Sequence, residues 1–233
     1  MRKPIVIIGG MGPQASLRFH ELLIEKSKQH HNGDGGDYPF VAHFSLPVDD
    51  FISDESKKVA AVAMLNGLSG AIEQLEPDTI TLACNTAHLM VPDVPLLQKP
   101  SFVSLPKTVA SVLAARGVRK AGVLATPTTL RTGLYDQALA EQSIESVSPN
   151  TTQQALLETA IRSVIAGEPD YELQTELTAI ADSLVTKGAG AIILGCTELP
   201  LIFPKVSLDV PVLDCLETYA DAVIDRHYLY NGA

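Results

Sequence analysis

Two cysteines occupy matching places in this 233-residue chain, and each has the setting of a reactive thiol. Cys84 follows a short apolar run in the segment T-I-T-L-A-C-N-T-A-H, and polar residues come directly after it. Cys196 lies in A-I-I-L-G-C-T-E-L-P, which has the same order of residue types. Short apolar runs are typical of buried parallel strands, and the residues after them predict the start of a helix. Each segment therefore predicts a thiol at a strand-to-helix junction.

A thiol in this position is expected to be acidic. The helix dipole and the unpaired backbone N–H groups at a helix start stabilise a thiolate. The alternative is that each cysteine is a small buried hydrophobic residue, which is the common role of an isolated cysteine. Two cysteines at equivalent junctions favour chemistry over packing. Cys215 shows no such junction in the sequence, and we expect it to be structural.

Polar side chains near the predicted strand ends are candidates for ligand binding. Backbone N–H groups at a helix start bind carboxylates, which hydroxyl and amide groups can orient. The threonines can equally be helix caps, and the two roles are compatible. The turn G-G-M-G-P-Q matches neither G-x-G-x-x-G nor a P-loop, so it indicates close backbone approach to a small ligand rather than nucleotide binding. The predicted binding residues here are Met11, Asn85, Thr86, Thr126, Thr129, Thr197 and Glu198.

His88 lies four residues after Cys84, and three roles are open to it. It could be a general base for the thiol, a metal ligand, or a residue that orients the start of the helix. No third ligand occurs at a suitable spacing, which argues against a metal. The orienting role is the simplest expectation.

The second half of the chain repeats the first. Predicted strands cover residues 4–8, 40–46, 79–83, 120–125 and 191–194, and the main predicted helices cover 13–29, 54–75, 151–166, 172–187 and 215–227. Matching Gly9 with Ala125 and Cys84 with Cys196 gives nearly the same offset, which indicates an internal duplication. We predict an α/β fold of two similar domains, each a parallel sheet flanked by helices.

The two domains are predicted to comprise residues 1–105 with 213–233, and residues 106–212. Ligands bind at the carboxyl ends of the strands in open α/β sheets. If the two domains face each other, the thiols lie across one cleft, which is the predicted active site.

Composition restricts the class of partner. A net charge of −10 without clustered lysine and arginine argues against nucleic-acid binding. Three widely spaced cysteines predict neither a disulfide framework nor a zinc ribbon, and they favour a reducing compartment. No segment has the roughly 18 to 20 apolar residues of a membrane span, and the first apolar run is too short for a signal peptide. We expect a soluble cytoplasmic protein that binds a small molecule.

In order and spacing, the motifs resemble those of the aspartate/glutamate racemase superfamily, the cofactor-independent amino-acid racemases. The cysteine motifs are specific, whereas the glycine-rich turn alone is a weak signal. With Asp214 near the end, the matching pieces span nearly the whole chain. They are I-G-G-M-G-P at 8–13, L-A-C-N-T-A-H at 82–88, L-A-T-P-T-T at 124–129 and L-G-C-T-E-L-P at 194–200.

The resemblance implies a two-base mechanism without pyridoxal phosphate or any other cofactor. One cysteine, as thiolate, removes the α-proton of a bound amino acid, and the other, as thiol, delivers a proton to the opposite face. Cys84 and Cys196 exchange roles with the direction of the reaction. The same resemblance implies that the α-carboxylate and amine are held by Asn85, Thr86, Thr126, Thr129 and Thr197.

Substrate choice departs from the family pattern. Aspartate-specific members carry an arginine after a proline-containing strand end, whereas the stretch L-P-V-D-D at 46–50 offers acids. Glu158 and Arg162 lie near the position of a lysine that such enzymes carry in the second domain. Asp50 is therefore predicted to line a pocket for a basic or neutral polar side chain. A homodimer that completes or stabilises the cleft is compatible with the sequence.

Other functions remain open. Hydantoin racemases, maleate isomerases and arylmalonate decarboxylases are similar in design, but such decarboxylases tend to have only one of the two cysteines. A non-catalytic amino-acid binder would use the same pocket without turnover.

Overall fold

A computed structural model describes residues 3–30, 34–48, 57–204 and 208–231. The chain divides into two compact units. Unit 1 consists of Met1–Leu105 and Leu216–Ala233, and unit 2 consists of Pro106–Cys215. Within the described ranges, no helix is both long enough and apolar enough to cross a membrane.

Unit 1 is built on a parallel sheet with the strand order β2-β1-β3. Its strands are β1 (Ile5–Gly9), β2 (Val41–Ser45) and β3 (Thr79–Leu82). Every residue of β1 is buried, as expected for an apolar, β-branched strand in the middle of a parallel sheet. Beyond β3, Phe102 forms a parallel bridge with Ile80 and extends that edge of the sheet.

The helices of unit 1 pack an apolar face on this sheet. They are α1 (Pro13–Ser27), α2 (Lys58–Gln74) and the last helix of the chain, Cys215–Asn231. Only the first residue of that last helix, Cys215, belongs to unit 2. Pro13 at the first turn of α1 suits a helix start, because its missing N–H would have no partner there. Phe19 of α1 stacks on Tyr219 of the last helix, with ring centroids 5.0 Å apart.

Unit 2 contains a parallel sheet with the order β5-β4-β6-β7. The strands are β4 (Lys120–Leu124), β5 (Glu145–Val147), β6 (Ile192–Leu194) and β7 (Val212–Asp214). The helices of unit 2 are α3 (Leu105–Ala115), α4 (Pro127–Arg131), α5 (Leu134–Ala140), α6 (Thr151–Ile165) and α7 (Gln174–Thr186). The last helix of the chain, described above with unit 1, is numbered α8 (Cys215–Asn231). Asn150 and Gln153 form a capping box at the start of α6.

The two sheets repeat one pattern of strand order and register. The order β2-β1-β3 recurs as β5-β4-β6. Ile8 pairs with Leu82 in the first sheet, and Leu124 pairs with Leu194 in the second. In each case the cysteine comes two residues after the paired leucine of the third strand. The predicted fold class, two similar parallel α/β units, is confirmed.

Several elements differ from the sequence prediction. Strands β5 and β7, of three residues each, and helix α3 were not predicted. The sequence also predicts a single helix from the turn at 126–129 through Leu139, and the structure has two helices there, separated at Gly133. Helix α2 begins at Lys58, and the predicted start of that helix at 54 lies outside the described residues.

Candidate active site

The glycine-rich turn at the end of β1 is held by backbone and by one serine. Gly10 donates its N–H to Ser16 Oγ at 3.2 Å, and Ser16 Oγ donates to the Pro13 carbonyl at 3.0 Å. The N–H of Leu46 donates to the Gly9 carbonyl at 3.0 Å, which ties the end of β2 to the turn. Met11 of this turn is buried in the same apolar cluster as Cys84. The turn and the first thiol therefore share one edge of the unit 1 sheet.

Cys84 is buried, with 4% of its surface exposed, and it does not precede an α-helix. The segment Thr86–Asp93 is a 3₁₀-helix with Pro92 inside it. Proline has no N–H to donate and its ring clashes with the preceding turn, which disfavours an α-helix that continues through Pro92. A helix follows the strand at Cys84 as predicted, but it is a 3₁₀-helix and not an α-helix. A short 3₁₀-helix has fewer aligned peptide dipoles, so its effect on the thiol is smaller than the sequence suggested.

His88 orients the segment that carries Cys84. Its Nε2 accepts a hydrogen bond from the Leu105 N–H at 3.0 Å, so Nδ1 carries the proton and donates to the Cys84 carbonyl at 2.9 Å. Burial lowers the pKa of His88 to about 4, against the smaller opposing effect of its backbone hydrogen bonds. Both ring nitrogens are engaged by backbone groups, which supports the orienting role over that of a general base.

The buried His88 predicts a specific pH dependence of stability. In the unfolded chain its pKa is about 6.5. Between pH 6.5 and about 4, the histidine is therefore protonated in the unfolded state but neutral in the folded state. The stabilisation is fully present above pH 6.5 and is lost as the pH falls towards about 4, with a total of about 3 kcal/mol. Denaturant unfolding at a series of pH values measures this loss.

The His88→Asn variant is the control for this pH dependence. It should be less stable than the parent protein at neutral pH, because the Leu105 N–H loses its acceptor. Its stability should also change less between pH 6.5 and 4, since the titrating group is gone. An equally steep pH dependence in His88→Asn would contradict the assignment to this histidine.

In unit 2, Thr126 caps the short helix that follows β4. Its Oγ1 accepts the N–H of Thr129 at 3.2 Å and donates to Thr129 Oγ1 at 3.0 Å. The side chain of Gln154 donates to the Ala125 carbonyl at 3.0 Å and fixes the backbone just before the cap. Both threonines are buried. The capping role that the sequence allowed is therefore observed at Thr126, and it leaves a buried pair of hydroxyl groups at the end of β4.

Cys196 lies beyond β6 and is also buried, with 4% of its surface exposed. The helix that follows Cys196 is a three-residue 3₁₀-helix, Leu199–Leu201, with Pro200 in it, and it begins three residues after the thiol. Thr197 does not cap a helix. Its Oγ1 donates to Glu198 Oε2 at 2.8 Å, and the thiol of Cys196 donates to the same oxygen at 3.1 Å.

Tyr135 of α5 is a site neighbour that the sequence did not indicate. It is buried against Gly195, where an added Cβ would lie 2.9 Å from the tyrosine ring. Burial raises the pKa of Tyr135 well above its usual value, and the charges of Cys215, Cys196 and Asp214 add to the effect. The glycine directly before Cys196 is the sequence signal that could have pointed to close packing at this strand end.

Cys215 occupies the junction that the sequence appeared to lack. Strand β7 ends at Asp214, and the 17-residue helix α8 begins at Cys215. The expectation that Cys215 has no strand-to-helix junction is therefore wrong, because β7 was not predicted. Cys215 is fully buried, and none of the three cysteines forms a disulfide.

The structure divides the predicted site residues between the two units. Asp50 and its neighbour Asp49 lie outside the described residues. Arg162 and Glu158 form an ion pair on the surface of α6, with Arg162 Nη2 2.6 Å from Glu158 Oε1. Within the described part of the chain, no group of three or more His, Cys, Asp or Glu side chains could hold a metal ion. Unit 1 holds the buried residues Met11, Cys84, Asn85 and Thr86, and unit 2 holds the buried residues Thr126, Thr129, Cys196, Thr197 and Glu198.

Several known proteins similar to this chain are named as racemases. The sequence profile described as Asp/Glu/hydantoin racemase matches residues 8–223. A broad-specificity amino-acid racemase, RacX of Bacillus subtilis (strain 168), is 25% identical over 240 residues, which cover 98% of this chain and all of that relative.

Two solved structures carry the same likeness. PH1733, an aspartate racemase homologue from Pyrococcus horikoshii OT3, is 28% identical with a TM-score of 0.80, and the match covers 97% of this chain and 99% of that one. The aspartate racemase of Picrophilus torridus is 25% identical with a TM-score of 0.77, over 99% and 94% of the two chains. Since the profile spans most of the sequence, this chain belongs to the Asp/Glu/hydantoin racemase family.

Proposed function

We propose that the protein interconverts the L- and D-enantiomers of a free amino acid, with Cys84 and Cys196 as the two acid–base groups at Cα. The observation that carries the proposal is the repeated register. Each thiol comes two residues after a leucine that pairs with the strand ending in a candidate binding turn. Membership in a racemase family supports the reaction class.

Inversion at one carbon explains why two thiols are needed. A base must remove the α-proton from one face, and an acid must deliver a proton to the other face. In one direction the thiolate of Cys84 takes the proton, and the thiol of Cys196 supplies the new one. In the reverse direction the two cysteines exchange these roles. The proposal requires the thiols to lie on opposite sides of Cα.

Buried polar groups would stabilise the carbanion that forms between the two proton transfers. Negative charge develops on the α-carboxylate as the α-proton leaves. Preorganised donors in a site that excludes water stabilise such charge more than solvent does. The buried side chains proposed for this task are Asn85, Thr86, Thr126, Thr129 and Thr197.

The proposed substrate class is free amino acids rather than one amino acid. The relative that matches almost this entire chain is named a broad-specificity amino-acid racemase. The preference for a basic or neutral polar side chain rests on Asp50 and stays a prediction. A homodimer and a cytoplasmic location also stay predictions.

The decisive experiment is incubation with a panel of L-amino acids in D₂O. The panel should include aspartate, glutamate, glutamine, lysine, arginine and a monosubstituted hydantoin. We expect deuterium at Cα and formation of the D-enantiomer, followed by proton NMR and chiral chromatography. Protein with both Cys84→Ser and Cys196→Ser, purified in parallel, controls for a contaminating racemase. Absence of deuterium exchange at Cα with every amino acid would refute the proposal. Exchange with the hydantoin alone would indicate a hydantoin racemase instead.

A further inference from the structure

The carboxyl group of Glu198 is buried directly beside the thiol of Cys196. Only 5% of the residue surface is exposed. The Cys196 thiol donates to Glu198 Oε2 at 3.1 Å, and the Thr197 hydroxyl donates to the same oxygen at 2.8 Å. An ionised carboxylate is an acceptor only, and two donors that converge on one oxygen fit that state. In this geometry the carboxylate of Glu198 accepts the hydrogen bond of the Cys196 thiol.

A contact between side chains two positions apart is unusual in a helix, where such residues do not face each other. Here Cys196 and Glu198 lie before a 3₁₀-helix that begins only at Leu199. The irregular backbone lets the Glu198 side chain turn back towards the sulfur. Glu198 was predicted from the sequence to bind the ligand. In the structure its Oε2 accepts hydrogen bonds from two side chains of the protein itself.

We infer that Glu198 keeps Cys196 protonated by accepting the hydrogen bond of its thiol. Of the two cysteines, Cys196 is therefore the protonated one, and the proton donor, in the unliganded enzyme. This inference rests on the proposed function and adds an order to it. Glu198 is a positioning residue, because it acts through Cys196 and is not itself required to touch the reacting carbon.

The electrostatics of the pair support this order. A carboxylate next to a thiol disfavours a second negative charge, so it raises the pKa of the thiol. Burial raises the pKa of Glu198, against the opposing hydrogen bonds from Cys196 and Thr197, so the two groups are expected to titrate as a pair. Tyr135 of α5 interacts electrostatically with Cys196, and Asp214 and Cys215 interact with the same tyrosine.

With Cys196 as the protonated thiol, the proposed cycle of the unliganded enzyme begins with Cys84 as the base. The C–H bond at Cα breaks as the proton passes to the thiolate of Cys84, and a new C–H bond forms with the proton from the Cys196 thiol. The pair of Cys196 and Glu198 is left with one proton fewer, and Cys84 holds one more. Return to the starting state requires Cys84 to lose its proton and Cys196 to gain one, either through exchange with solvent or through conversion of the opposite enantiomer.

The test is a thiol titration that needs no turnover. In a Cys84→Ser, Cys215→Ser background, Cys196 is the single remaining thiol, and its ionisation is followed by the ultraviolet absorbance of the thiolate. Glu198→Gln should lower the pKa of Cys196 by about one unit or more, because a neutral amide replaces the carboxylate. Glu176→Gln, which removes an exposed carboxylate of the same unit, is the matched control and should leave the thiol pKa unchanged.

A second variant guards against misfolding of Glu198→Gln. Glu198→Asp keeps the charge but withdraws it by one methylene group, so its thiol pKa should fall between those of the parent and the glutamine variant. An unchanged thiol pKa in both folded variants would overturn the inference. The titration also separates the two proposals. A shifted thiol pKa in these variants, together with no racemisation of any amino acid by the parent protein, would support the Glu198–Cys196 pair and refute only the proposed function.

Discussion

Replacing Cys84 with serine is expected to lower the rate of racemisation by about 10²- to 10⁴-fold, and replacing Cys196 with serine is expected to do the same. A serine hydroxyl is a far weaker acid than a thiol, so it neither removes nor delivers a proton effectively near neutral pH. Initial rates in both directions, measured by chiral chromatography on an amino acid that the D₂O panel identifies, give the size of each loss.

The third cysteine provides the matched control. Cys215 is fully buried at the junction of β7 and α8, and the proposal gives it no proton to carry. Cys215→Ser should keep a rate within a few-fold of the parent protein. Substantial racemisation in either the Cys84 or the Cys196 variant would contradict the two-base assignment, and so would an equal loss in all three variants.

Deuterium exchange distinguishes a lost base from a damaged fold. A variant that keeps one thiol can still remove and return the α-proton on one face of the substrate. Cys196→Ser should therefore exchange the α-proton of one enantiomer, and Cys84→Ser that of the other, without net inversion. Loss of exchange with both enantiomers in a single variant would indicate that the replaced cysteine does more than serve one face.

The parallel α/β architecture was open to prediction because its central strands are buried on both faces. β1 and β3 bury every residue. β1 appears in the sequence as a continuous apolar run, and β3 alternates threonine with isoleucine and leucine. The duplication was visible for the same reason, since equivalent strands end in recognisable turns. By contrast, β5 and β7 are three residues long and only partly buried, too short to produce a clear pattern.

The details around the thiols depend on backbone that the pattern of residue types does not encode. The helices that follow the two thiols are 3₁₀-helices. The one after Cys196 begins only at Leu199, and the irregular backbone before it allows Glu198 to contact Cys196. The His88 contact joins residues 17 positions apart, and it requires the chain to return to the end of β3 before α3 begins. The two proposed acid–base thiols were open to prediction from the sequence, whereas the buried side chains that contact them depend on the tertiary fold.

Gly10→Ala is expected to destabilise the protein by about 3 kcal/mol or more. Gly10 has a φ of +91°, a backbone conformation that alanine adopts only with strain. A Cβ at this position would overlap the backbone N and O of Leu46 and lie 2.9 Å from its carbonyl carbon. Backbone of the neighbouring strand cannot rotate away as a side chain would. Denaturant unfolding of the purified variant measures the loss of free energy.

Gly67→Ala is the matched control, because it adds the same methyl group where there is room. Gly67 lies inside α2, and a Cβ there would have no atom within 4 Å. Alanine is the better helix former, so Gly67→Ala should raise the free energy of unfolding by about 0.5 to 1 kcal/mol. If Gly10→Ala matched the stability of the parent, the close approach of Leu46 to the turn would be wrong. The placement of Met11 in the apolar cluster that contains Cys84 would then lose its support, because the same turn carries Met11 into that cluster.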